Sequence, residues 1–280
     1  MNPIVAADVA TIADQPVIAQ PAHAFDHTTI VIAGAGGLIA RYTALALAEL
    51  CERGRLEATV VCLARDLAAA EAAFAGCRGR RHLRLGQQTL GEPLRYSGEA
   101  DVIVHAGGAS GPHHYRRDPY GVAAANVRAG FDLIDLARQR GTRRLVYFSS
   151  RELYGHSAPD AAGRLSETAL GLFDHLQPRN SYPEGKRMTE SLFAVAAEQF
   201  GIGYQLLRLA SVYGPGMKLT DDGRAMADLI GARLAGQPLR LAGDGRVRRG
   251  YCYAADAVAG LLTILFAGQD HQVYNIANDT

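Results

Sequence analysis

The chain has 280 residues, 48 % of them apolar and 20 % charged, a composition that excludes disorder and suits one large α/β domain or a nucleotide-binding domain with a smaller cap. Its 29 basic and 28 acidic side chains leave a net charge of +1, so there is no bulk electrostatic case for nucleic acid or an anionic membrane as partner. Cys51, Cys62, Cys77 and Cys252 are scattered without Cys-x-x-Cys spacing, which fits free thiols and a cytoplasmic, reducing compartment.

The first 26 residues lack a basic n-region, and Pro3, Pro16 and Pro21 break up their apolar residues. The segment therefore reads as neither a secretion signal nor a membrane span. A short helix near Val5–Ala13 is expected, then an irregular arm. Thr28–Ala33 (TTIVIA) is a β-branched run that predicts a buried strand. Gly34-Ala35-Gly36-Gly37-Leu38-Ile39-Ala40 follows directly, then a long apolar-rich helix from Leu38 to about Glu52. Strand, glycine turn and helix in this order give a glycine motif its meaning. Small residues let the backbone approach a pyrophosphate, which sits on the outward N–H groups of the helix N-terminus. Gly34, Gly36, Gly37, Leu38 and Ile39 are thus candidate dinucleotide contacts; a tight turn with no ligand is the plain alternative.

Thr59–Ala64 is the second strand. An acidic residue at its end would bond the adenosine ribose and favour NAD, but Ala64-Arg65-Asp66 stands there. Arg65 suits the 2′-phosphate of NADP, stacking on adenine with NAD, or a solvated loop. Asp66 is expected to N-cap a helix over Leu67–Ala75. A weak strand at His82–Gly86 precedes a stronger one, Asp101–His105. The latter ends in His105-Ala106-Gly107-Gly108-Ala109, where Ala106 and Gly107 are small enough for close cofactor approach. His113 and His114, in an expected loop, have no partner at metal spacing, and no metal is assigned. Asn126 interrupts an Ala/Val/Leu face of a helix over about Val122–Arg140. A buried amide needs a partner, either as a helix-to-strand tie or behind an active site.

Arg144–Ser149 is the next strand, with Ser150, Arg151 and Glu152 at its end. Strand ends on one edge of a parallel sheet converge on the ligand crevice. Ser150 is therefore expected to meet Tyr182, thirty-two positions on. A hydroxyl beside a substrate carbinol can share the proton passing to tyrosine, and Glu152 is a second candidate acid or base. A turn serine and a solvated carboxylate are the plain alternatives. Ser181-Tyr182-Pro183-Glu184-Gly185-Lys186-Arg187 predicts a helix start, with Ser181 as N-cap, Glu184 completing a capping box and Pro183 in the first turn. Tyr182 and Lys186 then share one face, and the cation favours the phenolate below its ordinary pKa of about 10. An exposed Tyr/Lys pair would look the same in sequence.

Tyr204–Ser211 is a strand ending in the turn Val212-Tyr213-Gly214-Pro215-Gly216. Beyond it the strand–helix alternation fades. A helix over Arg224–Ala235, a hairpin around Gly243-Asp244-Gly245, a strand at Tyr251–Ala254, a helix over Asp256–Phe266 and a strand at Gln272–Asn275 are expected. Arg246, Arg248 and Arg249 cluster after the hairpin; clustered arginines facing a crevice suit a diphosphate, and a solvated basic edge is the plain alternative.

The glycine loop, the strand-end serine, Tyr-x-x-x-Lys and the arginine-bearing C-terminal segment together resemble the extended short-chain dehydrogenase/reductase superfamily. Its NAD-dependent nucleotide-sugar epimerases, dehydratases and decarboxylases are similar over about Thr28 to Asn278. Three blocks carry the likeness: Phe148-Ser149-Ser150-Arg151-Glu152-Leu153-Tyr154-Gly155, the Tyr182 helix start, and Arg208 through Gly216 with Arg249-Gly250-Tyr251-Cys252-Tyr253-Ala254-Ala255-Asp256. The resemblance implies an α/β fold: an N-terminal arm (1–27), a Rossmann-type doubly wound parallel sheet (28–212) and a small C-terminal substrate-binding cap (213–280). It implies NAD or NADP as cofactor, NAD being favoured by the family and NADP left open by Arg65. It also implies a nucleotide-sugar substrate and a homodimer joined through the Tyr182 and Val122–Arg140 helices.

Carried over by position, Tyr182 takes the sugar 4-hydroxyl proton, and Lys186 lowers its pKa and holds the nicotinamide ribose. Ser150 bonds the 4-oxygen, and Glu152 acts on a neighbouring carbon. Arg249 holds the diphosphate, with Arg151 and Tyr213 also on the substrate side. Several positions depart from the pattern. Arg151 replaces the common Asp or Ser, Gln88 stands where Asp often contacts adenine, Ser211 where Asn is usual, and Ala40 where glycine is. Relatives also continue beyond the position of Thr280, implying a minimal cap or a truncated chain. Two rival readings remain at this level: an NADP-dependent reductase of a small non-sugar carbonyl, and a non-catalytic dinucleotide-binding scaffold or sensor.

Overall fold

The structure is a computed structural model that describes every residue except 90, 93, 109, 110, 221, 241–243, 245, 247, 248, 279 and 280. The expected Gly243–Gly245 hairpin therefore lies largely outside the described residues, as do Ala109 and Arg248. In chain order the strands are β1 (Thr28–Ala33), β2 (Ala58–Ala64), β3 (Leu83–Gln87), β4 (Val102–His105), β5 (Arg144–Ser150), β6 (Gly203–Leu209), β7 (Ser211–Tyr213), β8 (Tyr251–Tyr253) and β9 (Gln272–Ile276). The helices are α1 (Pro3–Asp14), α2 (Pro16–Ala22), α3 (Leu38–Glu52), α4 (Leu67–Phe74), α5 (Pro112–Arg117), α6 (Pro119–Arg140), α7 (Ser181–Phe200), α8 (Ala225–Leu234) and α9 (Ala254–Ala267).

Seven strands form one parallel sheet in the order β3-β2-β1-β4-β5-β6-β9, a Rossmann-type doubly wound fold. Strands covered on both faces can be apolar throughout, and β1 is buried at all six positions. Alternate side chains feed two cores. Ile30, Ile32, Val104 and Phe148 pack with α1, α2, α3 and α9, while Val31, Ala33, Ile103 and Tyr147 pack with α6 and α7. Strand order reverses between β1 and β4, which opens the crevice at their carboxyl ends.

α1 forms where a short helix is expected, but the segment after it is the helix α2 and not an irregular arm. Pro16 sits in the first turn of α2, where its missing N–H costs nothing, and α1 and α2 bury Val5, Val9, Ile12, Ile18 and Ala22. A helix apolar on all sides must be covered on all sides. α3 is buried from Tyr42 through Cys51, and α1 covers it. The Asp8 carboxylate then accepts the Tyr42 and Tyr253 hydroxyls at 3.1 and 2.8 Å.

Three further expectations change. Ser181 is not an N-cap: a 3₁₀ turn at Pro178–Asn180 runs into α7, so Ser181 is already helical, its buried Oγ has no partner, and the capping box does not form. His113 and His114 lie in α5, not in a loop. The strand expected to run through Ser211 changes partners: Ala210 N–H donates to Ile276, whereas Ser211 N–H donates to Gly250 and starts β7, which pairs with β8. β9 extends the main sheet beside β6, and α9 buries Leu261, Leu262 and Leu265 in the same core as β1. Of the segment expected as cap, α8 and β8 lie outside the seven-stranded sheet.

Candidate active site

Turn geometry at the ends of β1 and β4 shapes the crevice floor. Gly34 has φ +92°, and a Cβ there would stand 2.5 Å from Gly107 Cα, so the two strand ends touch backbone to backbone. Gly36 faces open space, and Gly37 precedes α3 with no side-chain cap. The first N–H groups of α3 are thus left for a ligand, at the positive end of a 15-residue helix. An adjoining cavity of about 140 Å³ is bordered by Ile39, Ala106 and Gly107 and, across it, by Ser150, Tyr182 and Lys186. A side-chain-free cradle at a helix N-terminus, opening onto a small cavity, fits a dinucleotide. Arg65 is exposed at the end of β2, and its carbonyl accepts from Gln87 Nε2 at 3.3 Å. Gln88 is buried and its amide bonds its own loop, to the Thr89 and Glu92 carbonyls and from Arg95 N–H.

Tyr182 and Lys186 lie on the buried face of α7, one turn apart, with the ammonium 5.9 Å from the Tyr182 ring centroid. Lys186 Nζ donates to the Phe148 carbonyl at 2.8 Å. Burial drives the Lys186 pKa down to about 7, opposed by Glu190. Burial pushes the Tyr182 phenol above its ordinary value; a hydrogen bond with Ser150 pulls the other way, Glu152 and Tyr115 add to the rise, and Arg224 lowers it. The lowering of the phenol expected from the cation alone does not occur: burial is the dominant influence on Tyr182 and raises it. Asn126 is buried with Nδ2 on the Val122 carbonyl and Oδ1 unpartnered. That oxygen lies 2.7 Å from where a Gly108 Cβ would stand. His105, beneath, is fully buried and held down to about 3 by desolvation, with Lys186 adding to it.

The carboxyl end of β5 delivers Ser150, whose Oγ accepts Glu152 N–H at 3.2 Å. Arg151 and Glu152 follow on a 3₁₀ turn. Both border a larger cleft of about 550 Å³, together with Tyr213, Arg240 and Arg249. Ser211, Val212 and Arg224 join Arg151 and Glu152 in bordering both spaces, so the cleft opens onto the Tyr182 cavity. The Tyr213 ring packs edge-on against Tyr251 and Tyr253. Arg246 is exposed beside Asp244 at 3.8 Å and does not border the cleft.

Sequence reasoning missed three supports. Tyr115 of α5 stacks on Tyr182 with ring centroids 5.4 Å apart. Arg224 is gripped through two nitrogens by buried Asp222, both at 2.6 Å. Glu190 accepts from Ser149 and from Arg208 Nε and Nη2, forming a buried ion pair behind β5. Glu190 follows Lys186 by four residues, so the helical period places it on the Tyr182 face; the other two depend on folding.

A family model for the NAD dependent epimerase/dehydratase family matches residues 30–277. The chain belongs to this family. Among similar curated proteins is UDP-glucuronic acid decarboxylase 5 of Arabidopsis thaliana, 31 % identical over 204 residues, covering 71 % of this chain and 56 % of that one. The chain thus spans just over half the length of that relative. Among solved structures, an epimerase of Methanothermobacter thermautotrophicus aligns with a TM-score of 0.81 at 17 % identity, over 95 % of this chain and 76 % of its own. UDP-glucuronic acid 4-epimerase from Bacillus cereus in complex with NAD aligns at 0.74 and 21 %, over 90 % and 78 %. Both share the fold of this family member. Among the described residues no helix is long and apolar enough to cross a membrane, and no group of three or more His, Cys, Asp or Glu is placed to hold a metal ion.

Proposed function

We propose that the chain is an NAD(P)-dependent nucleotide-sugar-modifying enzyme of the epimerase, dehydratase or decarboxylase type, acting by transient oxidation at sugar C4. The observation that carries this reading is the roughly 550 Å³ arginine-bordered cleft opening directly onto Ser150 and Tyr182. A small carbonyl compound needs neither that volume nor that charge. Gly34, Gly36, Gly37 and the N–H groups of Leu38 and Ile39 would hold the pyrophosphate. Arg65 would lie at the adenosine end, and Ala106, Gly107, Asn126, Tyr182 and Lys186 around the nicotinamide end. The bound dinucleotide supplies the acceptor for the C4 hydride.

Tyr182 takes the 4-hydroxyl proton while Ser150 hydrogen-bonds the same oxygen. Burial keeps Tyr182 protonated on its own, so its action as a base depends on the groups that favour phenolate: the Ser150 hydroxyl, Arg224 and the Lys186 ammonium. Arg249 and Arg240 suit the diphosphate, with Tyr213 beside them. Glu152, 3.6 Å from Arg179, serves the step at the neighbouring carbon. We also read a homodimer joined through α6 and α7, where Phe131 and Met188 are exposed apolar side chains. The test is incubation with a panel of nucleotide sugars plus NAD or NADP, read by mass and retention time. Loss of water, loss of CO2 or a new isomer supports the reading. Stoichiometric reduction of simple ketones by NADPH, with no sugar converted, overturns it.

A further inference from the structure

Arg151 borders every one of three neighbouring spaces: the large cleft, the Tyr182 cavity, and a third of about 190 Å³ reaching Arg179 and Arg249. It is half-buried, and its Nη2 donates to Ser211 Oγ at 3.4 Å. Among the described residues, no carboxylate lies within ion-pairing distance of it. The nearby cations differ. Arg179 is paired with Glu152 at 3.6 Å, and Arg224 with Asp222 at 2.6 Å. Arg240 and Arg249 border the large cleft but not the cavity that holds Tyr182, Ser150 and Lys186. Arg151 is therefore the un-neutralised arginine at the reacting end, among the described residues, while the diphosphate has candidates of its own.

A half-buried guanidinium without a counter-ion has given up hydration that a bound anion restores, and its planar fork matches a carboxylate through two parallel N–H bonds. A guanidinium is a hydrogen-bond donor with no acceptor, not the carboxylic acid that hands a proton to a departing hydroxyl. Arg151 directly follows Ser150 on the turn after β5. If Ser150 and Tyr182 address the oxygen on C4, Arg151, which borders the same cavity, faces the space open to a substituent on a neighbouring ring carbon. We propose that the reacting sugar is a hexuronate, with its carboxylate on C6, and that Arg151 is the specificity-determining residue that reads this carboxylate. The proposal rests on the nucleotide-sugar reading above. It also removes from Arg151 the acid role that loss of a C6 hydroxyl as water would require.

The test measures binding of UDP, UDP-glucose and UDP-glucuronate to the full chain in the presence of NAD, for wild type, Arg151→Ser and Arg151→Lys. Wild type is expected to favour UDP-glucuronate over UDP-glucose by about 10- to 100-fold, the range for a charge-assisted hydrogen-bonded contact. Arg151→Ser should reduce that ratio to within about threefold while leaving UDP affinity unchanged, and Arg151→Lys should restore part of it. Equal affinity of wild type for the two sugars, or an unchanged ratio in Arg151→Ser, overturns the role of Arg151 while UDP binding keeps the nucleotide-sugar reading intact. Absence of any UDP binding overturns that reading and this inference with it.

Discussion

At the crevice floor Gly34 has no room for a single methyl group, because the Gly107 backbone stands within 2.5 Å of where it would go. At the cleft wall Arg240 and Arg249 are exposed, in the connection between α8 and the three-residue strand β8. The first region is made of backbone held by a seven-stranded sheet, so its shape and the fold are the same thing. The second is made of long side chains on connecting segments, where charge matters more than position and one residue can change without disturbing its neighbours. Substitutions on the floor should therefore affect stability, cofactor binding and activity together, whereas those on the wall should change substrate affinity alone.

The sharpest test of this division is Tyr182→Phe, between the two regions. The ring keeps its stack on Tyr115, so dinucleotide binding should persist while turnover falls by about 10²–10⁴-fold. Persistence of turnover would remove Tyr182 from the role of base. Next in size, Glu190→Ala leaves the largely buried Arg208 without its carboxylate behind β5. A loss of about 3–5 kcal/mol is expected in urea unfolding, and a loss under 1 kcal/mol would show that the pair is not structural. Gly34→Ala forces a side chain to φ +92°, costing about 1–3 kcal/mol before the overlap with Gly107 is counted. Dinucleotide titration should then show no binding.

A separate effect lies in the pH dependence of stability measured without ligands. The folded value of Lys186 is near 7, against about 10.4 in an unfolded chain. Between those limits the unfolded chain holds a proton that the folded chain has released. Stability should therefore rise with pH from about 7 towards 10, and Lys186→Met should flatten the rise. Above about 10 the buried Tyr182 and Tyr147, both shifted upward, reverse the slope. The smallest effect belongs to the wall: Arg240→Ala should raise KM for the nucleotide sugar by about tenfold or less, with melting temperature and dinucleotide affinity unchanged. A fall in melting temperature would blur the contrast between floor and wall.

Legibility in the amino-acid sequence differs between these regions for the same reason. β1 and α3 match their expected bounds, Thr28–Ala33 and Leu38–Glu52, because a β-branched run, a glycine turn and an apolar helix are local signals that the sheet only reinforces. Asp66 likewise caps α4, accepting Ala69 N–H at 2.9 Å. Tyr115 and Arg224 carry no such signal, since their places beside Tyr182 depend on how α5 and the segment before α8 fold across the crevice. α1 is legible as the helix expected near Val5–Ala13, whereas α2 is hidden behind Pro16, because proline marks helix starts as readily as helix breaks.

Tyr182 and Lys186 define what local order can and cannot determine. Their four-residue spacing alone puts both on one helix face, and the Ser150 block places a hydroxyl at the right strand end. The acidity of that pair is decided by tertiary structure alone. Desolvation depends on what closes over a group, and here Tyr115 and the sheet surround the phenol and the ammonium, raising one pKa and lowering the other.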